Sequence, residues 1–291
     1  MNKENSCAII KNAVEVTRKT WTRFDVSWNI SEKVFLSRAY DQMGFDNWIF
    51  VDFLEENSIY SIDKIGDILN NLEFEKKYNR EFAGSLEAPL YQNMKNGNYG
   101  IEGKSFYKSV KDFNGRKGGK FYNLLWQMLV TCNYLKEKYN ASFSYYIKKQ
   151  YSKYKNLENI SDEKFLKISV EEWEKFKEEQ GPWNELYGVG INVFDYIMRD
   201  FVELEFVKDS YKLDAANIRF LKITGIISEN EMNPENVKQY LLGLNLPYTL
   251  REINKGLYTY TSELGKDEYG YCRTPQKCQN CSVNNLCEKN F

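Results

Sequence analysis

The sequence predicts a mostly α-helical protein. Only five prolines interrupt the 291 residues, and few segments alternate apolar and polar residues in the way that strands do. Apolar residues instead recur at helical spacing along most of the chain. The length is sufficient for one large domain or two ordinary domains with a buried core.

The individual helices are predicted from this apolar spacing and from local start signals. Ser161 and Ser169 each place a hydroxyl at an N-cap and acidic residues in the first turn, where the helix dipole favours them. The longest strongly apolar segment is 121–139. The segments with helical apolar spacing are 31–43, 61–72, 121–139, 142–155, 169–179, 191–201, 214–223 and 234–242.

A turn-rich, basic stretch between Asn96 and Lys120 is the clearest break in the helical pattern. We place a boundary within it, which separates an N-terminal helical region, 1–104, from a second helical unit, 105–257. From Tyr258 onward the composition changes again, and 258–291 contains four of the six cysteines. We therefore predict three consecutive segments, the first of unknown role.

The composition excludes several kinds of chemistry. The chain has no histidine, which excludes Ser-His-Asp triads, Cys-His nucleophiles and metal sites with histidine ligands. A net charge of −1 gives no global attraction to nucleic acid. The mean hydropathy of −0.62 and the lack of an apolar run near ~18 residues argue against a membrane span. The first residues lack a signal-peptide layout, so we expect a cytoplasmic protein.

Four cysteines lie within sixteen residues of the C-terminal segment, in the pattern C-x5-C-x2-C-x5-C: Cys272, Cys278, Cys281 and Cys287. In a reducing compartment such groups are more often metal ligands than disulfides. Without histidine, the choices are tetrahedral zinc or a [4Fe-4S] cluster. Structural zinc sites prefer two close pairs, whereas this pattern has one close pair between symmetric loops. The spacing therefore favours iron–sulfur, with zinc or unrelated buried or disulfide cysteines as the alternatives.

A short hairpin, Leu186-Tyr187-Gly188-Val189-Gly190, joins two predicted helices. Its two glycines allow a tight turn, and the following helix N-terminus points N–H groups toward a site where a phosphate oxygen can bind. A plain helix–helix turn is the alternative. Twenty-four residues after Gly190, Asp214 opens an amphipathic helix, where we expect it to be the N-cap.

In this order, the three motifs resemble the helix-hairpin-helix DNA glycosylases of the endonuclease III and MutY type. That family has L-P-G-V-G at the hairpin, V-D-x-x-V-x-R at the next helix and C-x6-C-x2-C-x5-C around a [4Fe-4S] cluster. The resemblance covers about residues 120–291. It implies a two-lobed helical fold with an iron–sulfur loop, to which the N-terminal helical region is an addition.

The resemblance also implies roles for individual residues. Asp214 takes the position of the catalytic aspartate, and Arg219 that of the arginine five residues later. The four cysteines take the positions of the cluster ligands. A looser match of the 121–139 segment gives one further position, that of a DNA-inserting glutamine. The positions implied to contact DNA are Gly188, Val189, Gly190 and Asn133.

Further contacts are expected from local basic and aromatic residues. Phosphates would bind lysines and arginines in the Gly-rich loop, in segment 142–155 and between the first two cysteines: Lys117, Lys120, Lys148, Lys149, Arg273 and Lys277. A base that leaves the duplex would stack on aromatic rings, for which the candidates are Trp126, Tyr145, Tyr146 and Trp183. For each of these residues, a solvated surface charge or ordinary packing is the alternative.

The chain departs from the family pattern at several positions. The first cysteine spacer is five residues, Tyr187 replaces the hairpin proline, and Ala216 and Asn217 stand where histidine and valine are common. Asn192 occupies the position of the Schiff-base lysine of bifunctional members, so β-elimination is not expected there. The acid that adenine-specific members use is missing from the 121–139 segment.

Together these expectations describe a monofunctional DNA glycosylase. It would hydrolyse the N-glycosidic bond of a flipped damaged, modified or mispaired base in double-stranded DNA, using Asp214 and water. We expect a monomer that binds no membrane. The alternative is a catalytically silent helix-hairpin-helix DNA-binding module with a structural iron–sulfur or zinc site. A third possibility is a zinc-bound structural or protein-interaction domain without nucleic acid.

Overall fold

The computed structural model describes residues 1–21, 27–39, 54–55, 58–70, 100–101, 104–105, 120–262 and 269–291. Within these ranges the protein is mostly α-helical, which confirms the predicted class. One antiparallel pair joins β1 (Gly100–Ile101) to β2 (Lys104–Ser105). In this part of the chain, no helix combines the length and the apolar character needed to span a bilayer.

The helices overlap all eight segments predicted from apolar spacing. In chain order they are α1 (Lys3–Arg18), α2 (Ser31–Arg38), α3 (Ile62–Asn70), α4 (Lys120–Tyr139), α5 (Phe143–Tyr154), α6 (Asp162–Leu166), α7 (Val170–Gln180), α8 (Ile191–Met198), α9 (Glu205–Lys208), α10 (Ala215–Thr224), α11 (Pro234–Gly243) and α12 (Leu250–Thr261). Short 3₁₀ helices occupy Trp28–Ile30, Glu229–Glu231 and Pro275–Asn280. The sequence analysis did not predict α1, α9 or α12.

The chain folds into two compact units that are assembled from discontinuous segments. Unit 1 contains Met1–Asp25, Ile168–Val170 and Leu204–Phe291, and unit 2 contains Val26–Lys167 and Glu171–Glu203. Helix α1 therefore belongs to the same unit as the C-terminal helices and the cysteine segment. The division into 1–104, 105–257 and 258–291 stays a prediction.

The core of unit 1 is built where α1 packs on α12. One face of α1 is fully buried, with the spacing that a helix face requires: Ile9, Ile10, Ala13 and Val14. Helix α12 begins with a capping box in which Thr249 and Glu252 each accept the other's backbone N–H. Gly256 allows the two helices to approach closely, because a Cβ built there lies only 2.9 Å from the Cα of Val14.

The core of unit 2 is largely aromatic. The rings of Phe35 and Phe143 stack with centroids 4.6 Å apart. A buried ion pair also crosses this unit, in which Nε of Arg38 donates to Asp200 at 2.6 Å. Removing one partner of such a pair leaves an uncompensated charge, so it constrains the packing of the unit. The described aromatic residues of this unit that are at most 2% exposed are Phe35, Phe143, Tyr146, Tyr151, Phe165, Phe176, Phe194 and Phe201.

The close packing of α1 and α12 can be tested by adding one methyl group. We expect Gly256→Ala to lower the free energy of unfolding by about 1–3 kcal/mol, because the new Cβ meets the backbone of Val14. Gly243→Ala is the matched control, since nothing lies within 4 Å of a Cβ built in this α11 position. Alanine there should be neutral or stabilising by ~0.5–1 kcal/mol. Urea denaturation measures the free energy of unfolding of both variants. Equal values for the two would contradict the close approach of α1 and α12.

Candidate catalytic helix, hairpin and cysteine site

Asp214 is the N-cap of α10, which confirms the capping prediction. Its Oδ1 accepts two hydrogen bonds from Asn217, one from the backbone N–H at 2.9 Å and one from Nδ2 at 3.0 Å. Its Oδ2 accepts no hydrogen bond from any residue that the structure describes, and the side chain is partly exposed. One carboxylate oxygen is therefore held by the helix, and the other is available to water or a ligand.

A network of buried amides holds this arrangement against α12. Asn217 is fully buried, and its Oδ1 accepts from the hydroxyl of Tyr211 at 3.0 Å. Asn254 of α12 is also fully buried, and its Nδ2 donates to the carbonyl of Lys212 at 2.6 Å. The Oδ1 of Asn254 accepts no hydrogen bond from the described residues. The sequence analysis did not identify Asn254, because its role depends on a partner 42 residues away.

The C-terminal end of α10 is tied to the cysteine segment. The backbone N–H of Glu288 donates to the carbonyl of Thr224 at 3.2 Å, and the thiol of Cys287 lies 3.7 Å from the carbonyl of Ile223. Gly225 ends the helix in the left-handed region, with φ of 77°. A Cβ there would lie 2.2 Å from the carboxylate of Glu288. The tail thus binds the carbonyls that the end of the helix leaves unpaired.

The four predicted cysteine ligands line one cavity. Its walls include Phe220 and Ile223 from α10 and Tyr260 from α12, and the hydroxyl of Tyr260 lies 3.1 Å from Sγ of Cys281. None of the cysteines forms a disulfide in the described chain. The structure therefore brings together four thiols as potential ligands: Cys272, Cys278, Cys281 and Cys287.

Among the described residues, no group of three or more Cys, Asp or Glu side chains is arranged to hold a single metal ion. A lone zinc ion would therefore require the thiols to move closer together. Four sulfur donors around one cavity are a donor set that both a zinc ion and a [4Fe-4S] group accept.

Burial raises the pKa of three of these thiols. For Cys272 the neighbouring thiols add to the rise in pKa, while the positive charge of Arg219 opposes it. Burial also raises the pKa of Cys278 and Cys287. Since the thiolate is the form that binds metal, metal binding at this site would release protons.

The hairpin lies in unit 2, at the start of α8. Gly188 has φ of 80°, and a Cβ there would lie 2.4 Å from Oε1 of Gln127. Val189 is buried and its N–H donates to the carbonyl of Leu186 at 3.0 Å. The carbonyl of Tyr187 accepts from the hydroxyl of Thr131 on α4 at 2.9 Å. These contacts fix the turn and explain why its first glycine cannot carry a side chain.

The end of the hairpin is open. Gly190 is the N-cap of α8, and no side chain caps this helix. Nothing lies within 4 Å of a Cβ built on Gly190, and Ile191 and Asn192 of the first turn are exposed. The unpaired N–H groups of a helix start therefore face a surface where an anion can approach.

Asn133, implied to insert into DNA, is half-buried in unit 2, and its Nδ2 donates to the carbonyl of Gly66 on α3 at 3.1 Å. Of the candidates for base stacking, Tyr146 is fully buried and its hydroxyl donates to the carbonyl of Pro182 at 2.5 Å. Tyr146 is therefore a core residue. Tyr145 remains partly exposed.

The structure describes the side chains of only some of the predicted basic contacts. Lys277 donates to the carbonyl of Tyr269 at 2.7 Å, so its ammonium group helps to fix the cysteine segment. Arg273 is exposed. Lys117 lies outside the described residues. Lys120 begins α4, and its side chain also lies outside the described part.

Searches of protein-family models, curated proteins and solved structures found no match to this chain. The family resemblance therefore rests on the motifs themselves. Unit 1 carries Asp214 and the four cysteines, and unit 2 carries the hairpin.

The two hairpin glycines should respond differently to a methyl group. We expect Gly188→Ala to lower the free energy of unfolding by about 1–3 kcal/mol, because it combines a left-handed backbone with a clash against Gln127. Gly190→Ala should stay within ~0.5 kcal/mol of the parent, because its backbone is extended and its surroundings are open. Urea denaturation compares them. Equal losses of stability would contradict the hairpin geometry.

Proposed function

We propose that the protein is a monofunctional DNA glycosylase, which hydrolyses the N-glycosidic bond of a flipped damaged, modified or mispaired base in double-stranded DNA. The observation that carries this proposal is the hydrogen bonding of the two carboxylate oxygens of Asp214. Its Oδ1 is held by Asn217, and its Oδ2 has no hydrogen-bond partner among the described residues. A carboxylate that is both oriented and accessible suits this reaction.

The chemistry follows from the charge that the reaction develops. As the bond to the base breaks, the sugar gains positive charge, and a nearby carboxylate stabilises it. The same carboxylate can orient or deprotonate the attacking water. Because the bonds from Asn217 fix the rotamer of Asp214, the position of Oδ2 is defined before substrate binds.

The open start of α8 is the proposed phosphate site. Its unpaired N–H groups and its dipole favour a phosphate oxygen. Gly190 leaves room for the DNA backbone to approach. Asn192, on the same turn, has no amine for a Schiff base, so the product is an abasic site in an intact strand. With a net charge of −1, binding depends on local contacts and weakens with salt.

The four cysteines are proposed to bind a [4Fe-4S] cluster, with zinc as the alternative. When bound, the group supplies a rigid cross-link among four thiolates. This chain uses the cross-link to fix its tail, because Cys287 and Glu288 contact the C-terminal carbonyls of α10. The proposed catalytic Asp214 stands at the other end of that helix.

One observation favours the alternative, a catalytically silent DNA-binding module. The two hydrogen bonds to Oδ1 are a complete N-cap, and capping is a sufficient structural role for an aspartate. The two proposals differ in whether the charge of Asp214 is needed for release of a base.

Asp214→Asn separates these two functions. Asparagine caps helices as well as aspartate does, and its Oδ1 can keep both bonds from Asn217, so the fold should persist. We expect loss of base release by at least about 10²-fold, because the charge that stabilises the transition state is gone. DNA affinity should stay equal or rise. The assay is a panel of damaged, modified and mispaired duplexes, with strands analysed before and after alkali.

Glu235→Gln is the matched control, since it also removes one negative charge from the first turn of a helix in unit 1. It should retain the parent activity. Alkali-dependent breaks with parent protein would show an abasic product formed without lyase action. Unchanged release by Asp214→Asn would remove Asp214 from catalysis, and no release from any duplex by the parent would favour the silent module.

The nature of the metal group can be tested separately. Protein purified in air should be brown and contain about four iron atoms per chain. Cys278→Ser should lower the iron content and the melting temperature, because metal binding contributes folding energy. Cys7→Ser is the control, since Cys7 lies on α1 outside the four-cysteine cavity. Colourless protein with one zinc per chain would contradict the cluster.

A further inference from the structure

Unit 2 contains an open cleft of about 280 Å³ between the end of α4, the helix α5 and the segment before the hairpin. This volume is close to the lower end of the range for small-molecule sites, about 300 Å³. Three lysines, Lys138, Lys149 and Lys153, line the cleft together with two tyrosines and Glu185. Lys149 and Tyr145 are among the DNA contacts expected from the sequence, but the proposed glycosylase site, which is built on Asp214 and the hairpin, does not include this cleft.

The three lysines that line the cleft form no ion pair with any described carboxylate. Lys149 only donates to the carbonyl of Glu158, at 3.3 Å, and lies over the ring of Tyr145. Lysines that are close in sequence but do not line the cleft are each paired: Lys136 with Asp63 and Asp67, Lys148 with Asp162, and Lys155 with Glu172. The lysines around the cleft are thus paired, whereas within it three lysines that form no ion pair with a described residue stand beside one carboxylate, Glu185, so positive charge is in excess there.

Glu185 supplies a fixed acceptor in the same cleft. Its Oε2 accepts from the hydroxyl of Tyr139 at 3.2 Å, from Nε2 of Gln150 at 2.8 Å and from the hydroxyl of Tyr134. Its Oε1 accepts no hydrogen bond from the described residues. Burial and the bond to Glu185 raise the pKa of Tyr134, so this hydroxyl stays a donor. Three donors therefore orient the carboxylate and leave one oxygen for a ligand N–H group.

An aromatic surface completes the cleft. Tyr145 is partly exposed, and its ring centroid lies 6.4 Å from that of Tyr139 at an interplanar angle of 62°. An exposed ring beside lysines offers a stacking face for a planar base next to a site for its phosphate.

We propose that this cleft binds a nucleotide, with its phosphate on Lys138, Lys149 and Lys153, its base against Tyr145, and a base N–H group donating to Oε1 of Glu185. A free nucleotide and a nucleotide within a single strand present the same chemistry, and the experiment distinguishes these two sources. The site goes beyond the proposed glycosylase function, because it uses neither Asp214 nor the hairpin.

The test is calorimetric titration of the full chain with the four deoxynucleoside 5′-monophosphates, inorganic phosphate and a single-stranded pentanucleotide. The cleft variant is Lys138→Gln, Lys149→Gln and Lys153→Gln combined. Its matched control is Lys155→Gln, Lys167→Gln and Lys175→Gln combined, which removes the same charge from paired lysines of unit 2 outside the cleft.

We expect at least one mononucleotide to bind more tightly than inorganic phosphate. Its affinity should fall at least about tenfold in the cleft variant, because charge-assisted contacts are lost, and stay within about twofold of the parent in the control. Tyr145→Leu should lower the affinity for the mononucleotide by about tenfold and leave the affinity for inorganic phosphate unchanged. The ligand is a single strand if the pentanucleotide binds more tightly than any mononucleotide and its affinity falls by at least the same factor in the cleft variant. If a mononucleotide binds as tightly as the pentanucleotide, the ligand is a free nucleotide.

The proposal is overturned if the cleft variant and its control bind every probe alike. It is also overturned if inorganic phosphate binds as tightly as the mononucleotides, because the base would then contribute nothing. Circular dichroism of both triple variants verifies that they are folded before titration. These readouts involve no base release, so failure here leaves the glycosylase proposal intact, and failure of Asp214→Asn leaves this site intact.

Discussion

The position of α10 against α12 is the constraint on which unit 1 depends. Near its N-terminus, Asn217 lies buried beside the backbone of Asn254, with its Nδ2 3.4 Å from that carbonyl. Further along, Phe220 meets the ring of Tyr260 edge-on, with centroids 5.9 Å apart. Helix α12 in turn packs closely against α1 at Gly256. The orientation of Asp214 therefore follows from the packing of α10, α12 and α1.

The cysteine segment extends this constraint to both ends of the chain. Tyr260 stacks on Tyr271 at 4.5 Å and contacts Cys281, so α12 is joined directly to the cysteine cavity. The N-terminal amine lies 3.4 Å from the carboxylate of Glu288. The hydroxyl of Ser282 donates to the side chain of Asn12 on α1 at 2.8 Å. A metal at the cysteines would therefore stabilise the helices around α10 as well as the tail.

Local patterns predicted most of the helices, because apolar spacing and capping residues act within a few residues. They failed for α12, whose buried face includes polar residues such as Asn254 and Thr261, which a periodicity argument assigns to the surface. Asp214 could be predicted because a cap is a local feature. The roles of Asn254 and Glu185 could not, since their partners are distant in sequence and only the fold brings them together.

Capping by Asp214 and its proposed role in catalysis are compatible, because a carboxylate has two oxygens and the cap uses one. Among the described helix caps that use a side chain, the others are neutral: Asn2, Ser61, Ser142, Ser161, Asn233 and Thr249. The helix dipole stabilises a negative charge at this position by only about 0.3–1 kcal/mol, and a neutral asparagine caps a helix equally well. The cap therefore accounts for the geometry of Asp214 but not for its charge. In the proposed reaction, that charge would stabilise the cation that develops on the sugar.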